Sequence, residues 1–287
     1  MNISTNNIES PIRIGQIRYT NVWPIFYHFP FEFFDEEIEF VEQVPSDLNR
    51  ALAEGNIDLS VISSFAYAQH ADNYVLLPNV SVSAHSQVKS IFLFHKKPLE
   101  ELDGCRIALT NTSATSVHLL KIILERFVGV SPDYFYEQPD LDTMLQEADA
   151  ALLIGDDAIK ASWGETDMLV TDLGELWHHY TGTSMTFAVW AVRKQMVQEQ
   201  PERIERIFHA FQMSKELSTR FPDEVADKAF HRIGGTKDFW LDYFGNLCYD
   251  FGPEEQKGLL KYYQYAYELG FLDKPVELEF WTHKTTV

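Results

Sequence analysis

Short apolar runs alternate along the chain with segments whose apolar residues recur every three or four positions, and the two patterns predict strands and helices in turn. Ile12-Arg13-Ile14-Gly15 reads as a first strand, and Trp23 to Phe29 as a helix that tolerates Pro24 in its first turn. Ile38 to Val41 is a second strand. Pro45-Ser46-Asp47 then opens a helix with Leu48 and Leu52 on one face and Gly55 as its left-handed terminal residue. Ile57 to Ile62 is a third strand. This βαβαβ succession requires a mainly parallel sheet.

Two extended stretches follow, Tyr74 to Ser83 and Val88 to His95, the second running into Lys96-Lys97-Pro98, and they mark a first crossing between lobes. A new series then begins with strand Arg106 to Leu109 and a helix from Val117 to Phe127, in which Val117, Leu120, Leu124 and Phe127 share a face. Strand Tyr134 to Glu137, helix Leu141 to Glu147 and strand Ala150 to Ile154 come next, the last leading into Gly155-Asp156. Asp167 to Thr171 is extended, and Phe187 to Val192 is a last apolar strand and the return crossing. From Glu202 the pattern is helical, with Ile204, Ile207, Phe208 and Phe211 at helical spacing and an aromatic segment from Lys261 to Tyr265. The expected fold is α/β with two lobes, residues 1–95 and 193–287 in one and 96–192 in the other, and a ligand cleft between them. No internal repeat or low-complexity segment interrupts it.

Three polar clusters each follow a predicted strand and precede a helix: Tyr19-Thr20-Asn21, Ser63-Ser64, and Thr110 to Ser116. Ligands of open α/β sheets sit at the carboxyl ends of strands, where helix N-termini offer unpaired N–H groups to anions. The placement points to a small carboxylate-bearing ligand. Asn21 either caps the next helix or, if Pro24 is the first helical residue, keeps a free amide. Asn111, Thr112, Ser113, Thr115 and Ser116 offer more polar side chains than one cap needs, and the surplus suits a carboxylate seat. A two-residue cap already accounts for Ser63 and Ser64. Ser90 lies within a strand, and Asp156 reads most simply as the cap of the following helix. Arg18 supplies a cation beside the first cluster, or faces solvent.

The 287 residues are 45% hydrophobic and 14% aromatic, ordinary globular material, with a formal net charge of −20. No run of lysines or arginines marks a nucleic-acid footprint, and neither nucleic acid nor an anionic membrane is expected as a partner. An anionic ligand must be held by local donors and a few cations, because the overall field repels it. The N-terminal segment to Pro11 is polar without a secretory apolar stretch, and no segment is apolar enough to cross a bilayer. Cys105 and Cys248 are isolated, which fits a reducing cytoplasm and gives no zinc-type spacing. His85, His118 and His178-His179 show no metal motif either, so no metal is expected. Phosphate loops, dinucleotide fingerprints and a nucleophile elbow are likewise absent from the sequence.

The motifs Gly15-Gln16-Ile17-Arg18-Tyr19-Thr20-Asn21-Val22-Trp23-Pro24, Gly55 to Ser64, Val88-Lys89-Ser90, Thr112 to Ser116, Ala151 to Asp156, Asp172 to Trp177 and Phe187 to Trp190 occur in an order that resembles the chorismate dehydratase family of the futalosine route to menaquinone. The similarity covers roughly residues 12–193. It implies a periplasmic-binding-protein-like fold, no metal or organic cofactor, and dehydration of the dicarboxylate chorismate to 3-[(1-carboxyvinyl)oxy]benzoate. It also implies cleft positions for Asn21 and Ser90. The chain departs from the family at Ala114, where a basic residue is common, so no cation is expected from that loop. The competing classes are a carboxylate-binding protein without catalysis and the sister lyase acting on cyclic dehypoxanthine futalosine. An exported receptor is disfavoured by the polar N-terminal segment, and a sensor joined to a DNA-reading module by the acidic charge. The Tyr-Thr-Asn and Ile-Gly-Asp motifs favour the dehydratase over the sister lyase.

Overall fold

Both lobes begin as βα units, and the computed structural model, which describes residues 10–165 and 167–282, sorts their strands into two sheets. The first series comprises β1 (Ile12–Ile17), α1 (Trp23–Phe26), β2 (Ile38–Gln43), α2 (Pro45–Glu54), β3 (Leu59–Ser63), α3 (Ser64–His70) and β4 (Tyr74–Ala84). The second comprises β5 (Ile91–His95), β6 (Arg106–Thr110), α4 (Ala114–Ile122), β7 (Asp133–Glu137), α5 (Leu141–Glu147), β8 (Ala150–Ile154), α6 (Gly155–Ser162), β9 (Leu169–Asp172) and α7 (Leu173–Thr181). After β10 (Met185–Arg193) the chain is helical: α8 (Lys194–Glu199), α9 (Pro201–Arg220), α10 (Pro222–Ile233) and α11 (Lys237–Asn246), then the short β11 (Leu247–Cys248) and α12 (Pro253–Glu268).

One sheet runs β11-β4-β10-β3-β1-β2 and the other β7-β6-β8-β5-β9. As expected, β1 is parallel to both β2 and β3. The sheet is nevertheless mixed, because β10 inserts antiparallel between β3 and β4. Two strands differ from the expected division. Ile91–His95, placed with residues 1–95, pairs with β8 and β9 in the second sheet, and Met185–Arg193, placed with 96–192, lies in the first. Both are buried along nearly their whole length, so an apolar run carries no mark of which sheet receives it. The chain changes sheet between Ala84 and Ile91 and again between Asp172 and Met185.

Local chemistry sets several ends. Gly55 closes α2 with φ +78°, the left-handed residue the sequence calls for. The expected helix from Trp23 stops at Phe26, with Val22 rather than Trp23 or Asn21 at its cap. The expected helix 117–127 starts earlier, at Ala114, and widens into a π-type turn over Ile123–Val128 that Gly129 ends at φ +81°. The helical tail packs onto the first series: Phe211 of α9 meets Phe26 of α1 edge to face at 5.3 Å, with Trp190 of β10 at 6.2 Å.

Candidate functional site

The carboxyl ends of β1, β6 and β8 converge on a cavity of about 720 Å³ between the two sheets. Arg18, Tyr19 and Trp23 line it from one side, Asn111, Thr112, Asp156 and Lys160 from the other. Gly155 makes the approach possible, since with φ +60° a Cβ there would stand only 2.7 Å from the Tyr19 ring. Two contacts join the sides. The Tyr19 hydroxyl donates to Thr112 Oγ1 at 3.4 Å, and the Thr20 amide and hydroxyl both donate to Asp156 Oδ1, at 3.1 and 2.6 Å. Burial raises the Asp156 pKa, and the Thr20 bonds oppose that rise. Burial also pushes the Tyr19 hydroxyl up to about 12. Asp156 is not the cap of α6, as the sequence suggests, because Ile154 occupies that position and frees the carboxylate to reach across.

Behind Asp156 lies a second polar group. The Ser90 carbonyl accepts from Gly155 N at 2.7 Å, while its hydroxyl, in a residue only 2% exposed, donates to Val88 O at 3.3 Å. Tyr243 of α11 is buried with its hydroxyl near Ser90, Thr20 and Asp156, yet no hydrogen bond of ordinary geometry satisfies it. Burial drives its pKa far above the usual phenol value. Asn21 Oδ1 is also shut away from solvent without a partner. Buried polar atoms without partners are costly, and these two belong to a larger set that also includes Tyr74, Tyr134 and Trp190. Nothing in the sequence singles out Tyr243, whose aromatic neighbours at helical spacing read as core.

The remaining predicted hydroxyls bond within the protein. Ser63 caps α3 by accepting from Ala66 N and receives the Asn49 amide at 3.1 Å. Ser64 Oγ lies 3.2 Å from Thr115 Oγ1, and Thr115 Oγ1 accepts from Phe65 N at 3.0 Å. Ser113 caps α4 by accepting from Ser116 N, with the Ser116 hydroxyl 3.1 Å away. Of the surplus over one cap, Thr115 ties α4 to α3, and of the cluster's side chains only Asn111 and Thr112 line the cavity. His118 stacks on Phe65 at 3.7 Å across the same junction. Helix α12 closes it from behind: Tyr262 donates to Thr115 O and Tyr263 to Ser64 O.

The charge around the cavity is the part sequence reasoning largely missed. Arg18 is joined there by Arg50 of α2, Lys160 of α6 and Arg232 of α10. Arg50 is paired with Asp47 at 2.7 Å, whereas Arg18, Lys160 and Arg232 form no ion pair among the described residues. Arg232 and Lys228 lie over the Trp23 ring, at 5.6 and 4.8 Å from its centroid. These side chains are far apart in sequence, so no local run of basic residues announces them. Three carboxylates, Asp47, Asp156 and Asp157, line the same cavity.

The menaquinone biosynthesis family matches residues 12–268. This chain belongs to that family. A chorismate dehydratase from Thermus thermophilus is 34% identical to this chain over 266 residues, 87% of this chain and 93% of the relative. A 1,4-dihydroxy-6-naphtoate synthase from the same organism is 25% identical over 225 residues, 76% and 79% of the two chains. Among solved structures, a protein from Archaeoglobus fulgidus superposes with a TM-score of 0.72 at 23% identity, covering 92% of this chain and all of that one. The periplasmic aliphatic sulphonate binding protein of Escherichia coli follows at 0.65 and 17%, covering 93% and 95%. The fold of the chain is thus periplasmic-binding-protein-like, with the cavity between its two sheets.

Proposed function

We propose that this protein is a hydro-lyase of the cytoplasm, a chorismate dehydratase that converts chorismate to 3-[(1-carboxyvinyl)oxy]benzoate and water. The observation that carries the reading is the rim of uncommitted cations on a cavity whose size, about 720 Å³, suits a small molecule, in a chain otherwise strongly acidic. The similarity to a named chorismate dehydratase, greater than that to the naphtoate synthase, supports the same substrate. The two sheets act as closing lobes. Substrate enters at the rim, where Arg18, Lys160 and Arg232 attract its carboxylates, and passes inward when the Thr20–Asp156 and Tyr19–Thr112 bonds open.

Loss of a ring proton and the neighbouring hydroxyl creates an aromatic ring, so the reaction is strongly downhill and needs orientation more than force. Asn21 and Ser90 fix the ring and the departing hydroxyl, the Asn21 carbonyl accepting its hydrogen while the Tyr243 hydroxyl donates to its oxygen. The enolpyruvyl carboxylate of the substrate takes the ring proton and returns it to the leaving hydroxide, which balances the reaction as one water. Asn111 and Thr112 form the α4 side of the cavity, while Ser113, Thr115 and Ser116 hold the start of α4 in place behind them. The test is purified protein with chorismate, followed by mass and absorbance. Asn21→Ala is expected to lower kcat by roughly 10²–10³-fold with little change in KM, because the contact matters most in the transition state. Unchanged turnover in this variant would sink the assignment of Asn21, and absence of the aromatic product with the wild type would sink the reaction.

A further inference from the structure

Apart from the cleft, three side chains from distant parts of the chain converge at the edge of the first sheet. His85 follows the end of β4, Cys248 ends β11 and Glu255 lies in the first turn of α12. One ring nitrogen, the thiol sulfur and one carboxylate oxygen all lie within 4.8 Å of one another. His85 Nε2 is 3.6 Å and Cys248 Sγ 3.7 Å from the same atom, Glu255 Oε1. The first distance is long for a direct hydrogen bond. Both match the edges of a tetrahedron whose centre bonds nitrogen and oxygen at about 2.0–2.1 Å and sulfur at about 2.3 Å, edges of roughly 3.3–3.7 Å.

The surroundings position the thiol and the carboxylate, while the His85 side chain is 57% exposed. Pairing of Leu247 with Ala84 and Cys248 with Ser83 fixes the strand that carries the thiol beside the strand that delivers His85. Gly252 N donates to Glu255 Oε2 at 2.8 Å, which leaves Oε1 turned toward the other two. The Glu255 side chain is only 6% exposed, and its one ion-pair partner among the described residues is His85. A carboxylate so buried is costly without a cation. On the far ring nitrogen, His85 Nδ1 faces Glu254 Oε2 at 3.9 Å, where a carboxylate orients a metal-bound imidazole. His85 and Cys248 also line a separate cavity of about 920 Å³, which supplies a path from solvent.

We propose that His85, Cys248 and Glu255 bind one thiophilic divalent cation, of the zinc or cobalt class, with the fourth position taken by water. The mixed nitrogen, sulfur and oxygen set selects such ions over magnesium or calcium. Its place determines its effect. The cation ties the end of β4, where the chain leaves the first sheet for the second, to β11 and the start of α12, and so stiffens one of the two crossings. None of the ligands falls in a motif because each comes from a different element.

The experiment titrates chelator-treated full-length protein with cobalt(II) and records its absorbance. One equivalent is expected to bring up a near-ultraviolet thiolate-to-cobalt band together with visible bands of tetrahedral intensity. Cys248→Ser should abolish the near-ultraviolet band, while Cys105→Ser leaves it intact. His85→Ala and Glu255→Gln should weaken binding by at least about 100-fold, and Glu254→Gln by roughly 10-fold. Circular dichroism of each variant separates loss of metal from loss of fold. If the wild type shows no thiolate band at one equivalent, or if the band follows Cys105 instead of Cys248, the site is refuted.

Discussion

Tyr243 holds a hydroxyl that the folded protein does not satisfy, and its cost and its use can be separated by one atom. Removing a buried hydroxyl that lacks a partner relieves a desolvation penalty, so Tyr243→Phe should leave stability unchanged or raise it by up to about 1 kcal/mol in urea unfolding. Turnover should fall in the same variant, by roughly 10-fold or more if the hydroxyl meets the departing oxygen. A variant as active as the wild type would return Tyr243 to the core. Asp156 gives a second separation, by pH. Its folded pKa is raised, so burial favours the protonated form, and the stability it confers is complete below its ordinary value of 3.8 and is lost as pH rises through the raised value. Asn at this position cannot titrate. Urea unfolding of wild type and Asp156→Asn should therefore show the wild type losing ground to the variant across that window, and parallel curves would contradict the buried carboxylate.

At the scale of elements, the junction of α3 and α4 depends on a neutral histidine. Burial against Phe65 lowers the His118 pKa to about 4, although the Ala114 carbonyl at its Nδ1 pulls the other way. A depressed histidine stabilises the fold above its ordinary value of 6.5 and loses that contribution as pH falls toward 4. Chemical denaturation between pH 7 and 4.5 should show a decline of up to about 3 kcal/mol from this residue, absent in His118→Phe. The βα units themselves were legible because β-branched runs such as Ile57 to Ile62 and capping residues such as Ser63 and Ser113 act locally. Sheet membership of β5 and β10 was not, because pairing between distant strands leaves the same apolar run in either place. The cluster from Asn111 to Ser116 is divided in the fold: Asn111 and Thr112 line the cavity, Ser113 caps α4, and Thr115 joins α4 to α3. Arg50, Lys160 and Arg232 were invisible as a group, since only the folded chain brings α2, α6 and α10 to one crevice.

For the whole molecule, the proposed dehydration draws its proton acceptor from the substrate, and among the described residues no cluster of metal-ligating groups lines the cavity. Turnover is expected to survive thorough chelation, measured as product formed per minute, and loss restored by a single added metal would overturn this. Closure should depend on the contacts at the rim. Asp156→Asn combined with Thr112→Val is expected to enlarge the radius of gyration of the ligand-free protein in solution scattering, since both variants weaken bonds that join the two halves. An unchanged radius would show that other contacts hold the halves together. The paired tyrosines of α12 set the limits of that motion. Tyr262 and Tyr263 are consecutive, with Cα atoms about 3.8 Å apart, yet they grip carbonyls belonging to opposite halves. Like the stitched spine of a book, they bind both covers at one place, and any opening of the cleft is expected to pivot there. Under the proposed function, entry and release would then use the one open edge, and product inhibition competitive with substrate is the expected kinetic result.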